Sequence, residues 1–137
     1  METLPAWDPS LSVGNAELDE QHKLLLALNQ RAADLLNDKA GNHIRREFRH
    51  LLNEIIDLAE VHFAAEERIL ALNGCPTLAE HKAEHYQFIE LLAELIYQSM
   101  LKDLKSKKIA KLLSDYIDHH FRETDMGCRE YMRDRAA

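Results

Sequence analysis

The chain contains almost nothing that would stop a helix, and this limits its fold more than any other feature. It carries four glycines and three prolines in 137 residues, and every proline falls before or between long stretches of helical apolar spacing. Proline inside a helix removes a hydrogen bond and clashes with the preceding turn, at a cost of about 3 kcal/mol, so its confinement marks the boundaries. Helix A is predicted from Ala16 to about Asn37, with Asn15 as its N-cap and Asp19 and Glu20 in its first turn. Gly41 and Asn42 break the chain, and helix B follows from about His43 to Asn73, stopping at Asn73-Gly74 with Pro76 just beyond. Thr77 and Glu80 form a capping box for helix C, which runs to about Lys102; Ser106 caps helix D, which runs toward Gly127 and on to Arg133. Four helices with short connections predict an all-α fold, an up-down-up-down antiparallel four-helix bundle. The bundle spans residues 16–133 of a single domain, 1–137, behind an extended N-terminal arm, residues 1–14, that holds Pro5, Trp7 and Pro9.

The remaining composition excludes whole classes of function. A net charge of −7 leaves no clustered basic face for nucleic acid, and the one basic run, Lys102 to Lys111, reads as a solvated loop and helix start. No apolar run approaches the ~18 residues of a membrane span, and the N-terminus lacks a basic-then-apolar signal pattern. A cytoplasmic protein without membrane insertion is therefore expected. Cys75 and Cys128 are too few for a disulfide framework and lack CxxC spacing, so free thiols are the plain expectation.

Histidine is the abundant residue, with eight in the chain. Helical spacing sorts them. His22 falls in the helix A stripe Leu18, Leu25, Ala32, Leu36. The helix B stripe Phe48, Leu51, Ile55, Leu58 continues into His62, Glu66 and Ile69. His81 and His85 lead into Phe88, Leu92 and Leu95, while Ile109, Leu113, Tyr116 and Ile117 lead to His120. By contrast His43 and His50 share a polar stripe with Glu47, Glu54 and Asp57, and His119 sits with Asp115, Arg122 and Glu123, so these three belong to the surface. A single inward histidine is usually a hydrogen-bonded core residue. Five of them with a buried glutamate would leave several polar groups unpaired at about 1–3 kcal/mol each, and a metal would satisfy them together.

Topology supports the same idea. His22 lies near the start of helix A, and His81 and His85 near the start of helix C. His62 and Glu66 lie in the last third of helix B, and His120 and Asp125 near the end of helix D. In an up-down-up-down bundle these segments share one end. Imidazole and carboxylate ligands without thiolate suit iron, zinc, copper or nickel. Pairs at i,i+4 (His62/Glu66, His81/His85) lie on one face, whereas Asp125 follows His120 by five residues and turns off it in a straight α-helix. Either helix D is distorted there or Asp125 reaches around its own helix. Five imidazoles and two carboxylates are too many for one metal. Two six-coordinate ions sharing both carboxylates and one bridging oxygen use all but one of their positions, and the open one is a site for a small diatomic ligand.

The residues also carry a family resemblance over nearly the whole chain. Trp7, the segment Val13 to Asn29 with Leu-Asp-Glu-Gln-His, His-Phe-x-x-Glu-Glu from His62 to Glu67, Gly-x-Pro from Gly74 to Pro76, His81/His85 and His120/Asp125 resemble the pattern of the hemerythrin family, in particular its bacterial members, the bacteriohemerythrins. Myohemerythrin is itself an example of the bundle class inferred above, so topology and resemblance are not independent. The resemblance implies two iron ions in an oxo- or hydroxo-bridged di-iron centre. His81, His85 and His120 would hold one iron, His22 and His62 the other, and Glu66 and Asp125 would bridge them. It implies reversible binding of O2, or another small oxidant, at the open position, for storage, transport or delivery rather than catalysis. Leu25, Phe63, Tyr116, Ile117 and Phe121 would line the O2 pocket, each being core packing on the simpler reading.

Two departures from the family pattern stand out. Tyr116 occupies a position where the family usually has Trp, and its hydroxyl points either into the pocket or to solvent. Cys75 stands where the family often has Tyr, and with Cys128 it falls at the metal end of the bundle, which allows a redox role. The rival uses are an O2 or redox sensor acting through a protein partner or a fused output domain, and peroxide or NO reduction at the irons. A ferritin-like centre would need Glu-x-x-His on two helices. The chain has one, Glu47/His50, on a polar face.

Overall fold

A computed structural model describes residues 7–36, 42–101 and 106–133, with side chains described except at 33, 36, 42–45, 101 and 106–110. The first six residues of the expected arm, the break at Gly41, the first part of the Lys102–Lys111 run, and the side chains of Leu36, His43, Ser106 and Ile109 fall outside that description. Every regular element among the described residues is helical: α1 (Ala16–Leu36), α2 (Asn42–Leu72), α3 (Leu78–Leu101) and α4 (Ser106–His119). A π-helical turn (His120–Asp125) continues α4, and a short α5 (Arg129–Met132) follows. The helices form a bundle in which α1 packs on α2 and α4, and α2 packs on α3.

Local chemistry sets the ends. Asn15 Oδ1 accepts the Leu18 N–H at 3.2 Å, so it caps α1 as its position predicts. Gly74, at φ +70°, ends α2 in the left-handed conformation open to glycine. The Cys75 N–H then reaches back to the Leu70 carbonyl (3.0 Å) and the Gly74 N–H to that of Ala71 (3.2 Å), a Schellman closure. Thr77 departs from the capping-box expectation. Its carbonyl accepts the His81 N–H at 3.0 Å, but its hydroxyl turns toward two sulfurs, Cys75 Sγ at 3.4 Å and Cys128 Sγ at 3.5 Å.

Two apolar clusters enclose a polar layer. The larger joins Leu25, Phe48, Ile55, Phe88, Leu92, Leu113 and Ile117, and the smaller joins Val13, Leu18, Ala65, Leu70, Cys75, Cys128 and Met132. The inward histidines fall between them. In α1 and α3 the sequence passes from smaller cluster to histidines to larger cluster as residue numbers rise; in α2 and the α4–α5 segment the order is reversed.

The described part of the arm is tied down rather than simply extended. Pro9–Leu11 is a 3-10 turn capped by Asp8, Leu11 and Val13 are buried, and the Val13 N–H donates to Asp19 Oδ1 at 2.9 Å. Trp7 packs on the larger cluster with Lys23 Nζ 4.5 Å from its ring centre. At the same end of the chain's path, Asn15 and Asn73 donate side-chain N–H groups to the Met132 and Tyr131 carbonyls (3.2 and 2.7 Å), docking α5. No described helix is long and apolar enough to cross a membrane.

Candidate metal centre

All seven residues predicted as ligands meet in the layer between the clusters, each at most 2% exposed. The π turn answers the question raised by Asp125. Five residues of α-helix would carry a side chain about 140° off the face of the first. The wider turn, with its i→i+5 bonding, returns Asp125 to the face of His120, and both are buried. The distortion lies in the helix rather than in a side chain reaching around it.

Each carboxylate has one oxygen for each half of the site. Glu66 Oε1 lies 2.8 Å from His81 Nε2 and 3.0 Å from His85 Nε2, while its Oε2 lies 3.0 Å from His22 Nε2 and 2.7 Å from His62 Nε2. Asp125 repeats the division. Its Oδ1 is 3.0 Å from His81 Nε2 and 3.3 Å from His120 Nε2, and its Oδ2 is 3.0 Å from His22 Nε2. Two groups of potential ligand atoms result, Glu66, His81, His85, His120, Asp125 and His22, His62, Glu66, Asp125, each with all its atoms within 4.8 Å of one another. They share both carboxylates.

Hydrogen bonding leaves this centre incomplete. His62 Nε2, His120 Nε2 and Asp125 Oδ2 are buried with no hydrogen-bond partner in acceptable geometry. Atoms of this kind normally cost about 1–3 kcal/mol each, and a cation would satisfy all three. Nitrogen and oxygen donors without thiolate suit a first-row transition metal. The residues therefore fit a metal centre.

Three of the clustered imidazoles are turned inward by bonds on their outer nitrogens. His62 Nδ1 lies 2.7 Å from Gln21 Oε1, His85 Nδ1 2.8 Å from Glu67 Oε2, and His120 Nδ1 2.9 Å from Glu84 Oε1. An Nδ1–H donated outward leaves the Nε2 lone pair free for a metal, which fixes both tautomer and ring direction. Glu84 also accepts from Thr124 Oγ1 at 2.7 and 2.8 Å. Helical spacing within one helix gives these residues no role; what they share is position, since Gln21, Glu67 and Glu84 each adjoin a clustered residue on their own helix and orient a histidine on the next.

Burial alone would depress His22, but Asp125 and Glu66 outweigh it and push its pKa up to about 10; the same contest raises His81 to about 11. His120 is also raised, by Asp125 and Glu84 against burial, while burial holds His62 low despite Glu66. Burial would raise Glu66, yet His62, His22 and His81 hold it well below the usual carboxylate range. Asp125 is lowered too, His120, His22 and His81 prevailing over burial and the Glu66 charge.

The expected pocket residues divide between contacts with this layer and the larger cluster. Phe63 stacks on His85 (3.8 Å between centroids, 6° between planes), Phe121 lies 4.5 Å from His22, and Leu25 and Ile117 are buried in the larger cluster. Tyr116 resolves differently from either expectation. Its hydroxyl donates to the Glu84 main-chain carbonyl, and its ring stacks on Phe88 at 4.6 Å. His50 and His119 are exposed, as their polar stripes predict.

Comparison with known proteins gives a consistent set of matches. Residues 13–127 match the model of the Hemerythrin HHE cation binding domain. The chain is 25% identical over 130 residues to a bacteriohemerythrin of Stenotrophomonas maltophilia, covering 95% of this chain and 82% of that one. It is 27% identical over 129 residues to a bacteriohemerythrin of Clostridium acetobutylicum, covering 92% and 97%. A hemerythrin-like protein of Naegleria gruberi is 36% identical over 91 residues, 64% of this chain and 68% of its own.

Proposed function

The chain belongs to the hemerythrin family, and from that membership we propose that it is a di-iron protein that reversibly binds O2. On this reading the chain is one domain, an up-down-up-down bundle, and the alternating cluster order along successive helices supports that topology. His81, His85 and His120 would hold one iron and His22 and His62 the other, with Glu66 and Asp125 common to the two groups. The observation that carries the proposal is the division of both carboxylates, one oxygen to each histidine group. Iron held there would supply the redox chemistry for taking up a small diatomic ligand.

The rest is the work of the chain itself. Gln21, Glu67 and Glu84 hold three imidazoles in the ligating orientation. The two-histidine side offers fewer protein ligands and would be the side open to a diatomic ligand. Leu25, Phe63, Ile117 and Phe121 exclude water and protons around it, which favours release of O2 unchanged. Tyr116 contributes its ring to that wall, since its hydroxyl is engaged by Glu84. The pair of cysteine thiols suits a reducing compartment, so the reading places the protein in the cytoplasm.

The test is a visible absorption spectrum of iron-loaded protein, reduced without oxygen and then exposed to air. Colour that appears with O2 and bleaches when O2 is removed is the expected result. An immediate, irreversible change to a ferric spectrum would overturn reversible binding and favour a sensing role.

A further inference from the structure

We infer that Cys75 and Cys128 form a peroxide-responsive dithiol that closes to an intramolecular disulfide, a redox site separate from the metal centre. The two sulfurs face each other across one hydroxyl. Thr77 Oγ1 lies 3.4 Å from Cys75 Sγ and 3.5 Å from Cys128 Sγ, so the sulfurs are no farther apart than those two legs combined. Thr77 is itself exposed, and its hydroxyl can swing to solvent as the sulfurs turn inward to bonding distance, about 2.05 Å.

Both backbones are held in place. Cys75 is pinned by its N–H bond to Leu70 in the closure of α2, and Cys128 by its N–H bond to the Asp125 carbonyl at 3.1 Å. Around them pack Val13, Leu18, Ala65, Leu70 and Met132. Both residues are buried but keep slight exposure, 8% and 9%.

The chemistry balances with hydrogen peroxide as oxidant. One thiolate attacks an oxygen of the peroxide; an S–O bond forms, the O–O bond breaks, and hydroxide leaves and is protonated to water. The second thiol attacks the resulting sulfenic sulfur, the S–S bond forms, and the sulfenic oxygen departs as a second water. Two thiols lose two electrons and two protons, and one peroxide becomes two waters.

The bond would join the α2–α3 turn to the start of α5. Each end touches a segment that carries a ligand residue: the Thr77 carbonyl accepts the His81 N–H, and the Cys128 N–H holds the Asp125 carbonyl. Closure would therefore be felt in the metal layer, whichever gas or oxidant that layer takes up.

The test uses the zinc-loaded protein, in which the metal cannot cycle, so it is separate from the test of O2 binding. Equimolar hydrogen peroxide is added, remaining thiols are alkylated, and the protein is digested with trypsin without reductant. The expected product is one cross-linked species joining residues 69–82 to residues 123–129, two hydrogens lighter than the separate peptides and split by dithiothreitol. The protein stays monomeric on a non-reducing gel. In Cys75→Ser or Cys128→Ser the partner thiol stops at the sulfenic acid and is trapped by dimedone. Two thiols that remain alkylatable in the unmutated protein would overturn the inference, as would oxidation without the cross-link or a cross-link only between chains.

Discussion

Loading metal into this centre should expel protons, and the structure indicates from where. In the metal-free protein His22 and His81 are held to about 10 and about 11 by Asp125 and Glu66, so both are protonated at neutral pH. A metal needs the Nε2 lone pair that such a proton occupies. His22 belongs to the group with His62, and His81 to the group with His85 and His120, so each ion must displace about one proton. Glu66 and Asp125 are lowered, so they are already ionised and release none. One displaced proton makes apparent affinity rise about tenfold per pH unit. From pH 6 to pH 8 each site should therefore tighten roughly a hundredfold, about 2.7 kcal/mol. Anaerobic titration calorimetry with ferrous iron, in two buffers of different ionisation heat, reads affinity and proton count together. Affinity that stays flat with pH, with no dependence on the buffer, would refute the reasoning and mean that the imidazoles are neutral before metal arrives.

Stability should show the opposite trend without metal. Folded pKa values raised above the unfolded value stabilise fully below about 6.5 and lose that contribution as pH climbs toward the folded values. Thermal melts of the stripped protein should accordingly fall between pH 6.5 and 9, while the loaded protein gains on it; parallel curves would count against the raised histidines. Glu84→Ala removes the acceptor of His120 Nδ1 and Thr124 Oγ1. It should weaken metal at the three-histidine site about 10–100-fold in chelator competition, with unchanged affinity as the contrary result. Phe63→Ala removes a buried ring stacked on His85 and should cost about 3–5 kcal/mol in urea unfolding. Gly14→Ala places a side chain at φ +75° with its Cβ 2.8 Å from Arg133 Cβ, and should cost at least about 1–2 kcal/mol; a neutral melt would mean that the contact relaxes freely.

The ligands were legible because burial and helical period act together. His22, His62, His81, His85 and His120 continue apolar stripes, and a side chain in such a stripe has nowhere to go but inward. Asp125 was legible only as a misfit, since its spacing of five from His120 does not reveal that the helix widens. The orienting residues were not legible at all. Whether Gln21 meets His62, or Glu84 meets His120, depends on how neighbouring helices are rotated about their axes, and no periodicity within one helix carries that. Thr77 shows a different limit: its side chain had two uses, a capping bond or a contact with the sulfurs, and only packing between distant segments decided it. The same holds for Tyr116, whose hydroxyl found a main-chain carbonyl on another helix.

The widened turn from His120 to Asp125 also changes how that stretch should breathe. A π turn holds its amides in a less favourable lattice of bonds than an α-helix does and persists where something else holds it open. Here the holder is the inward pull on two side chains, His120 and Asp125, separated by one surplus residue. Metal occupancy should then set the local opening rate of this segment more than that of the neighbouring turns. Amide hydrogens from Phe121 to Met126 should exchange slowly in the loaded protein and quickly once it is stripped, with those of α4 nearly unchanged. The helix would thus record, in its own protection pattern, whether the centre is filled.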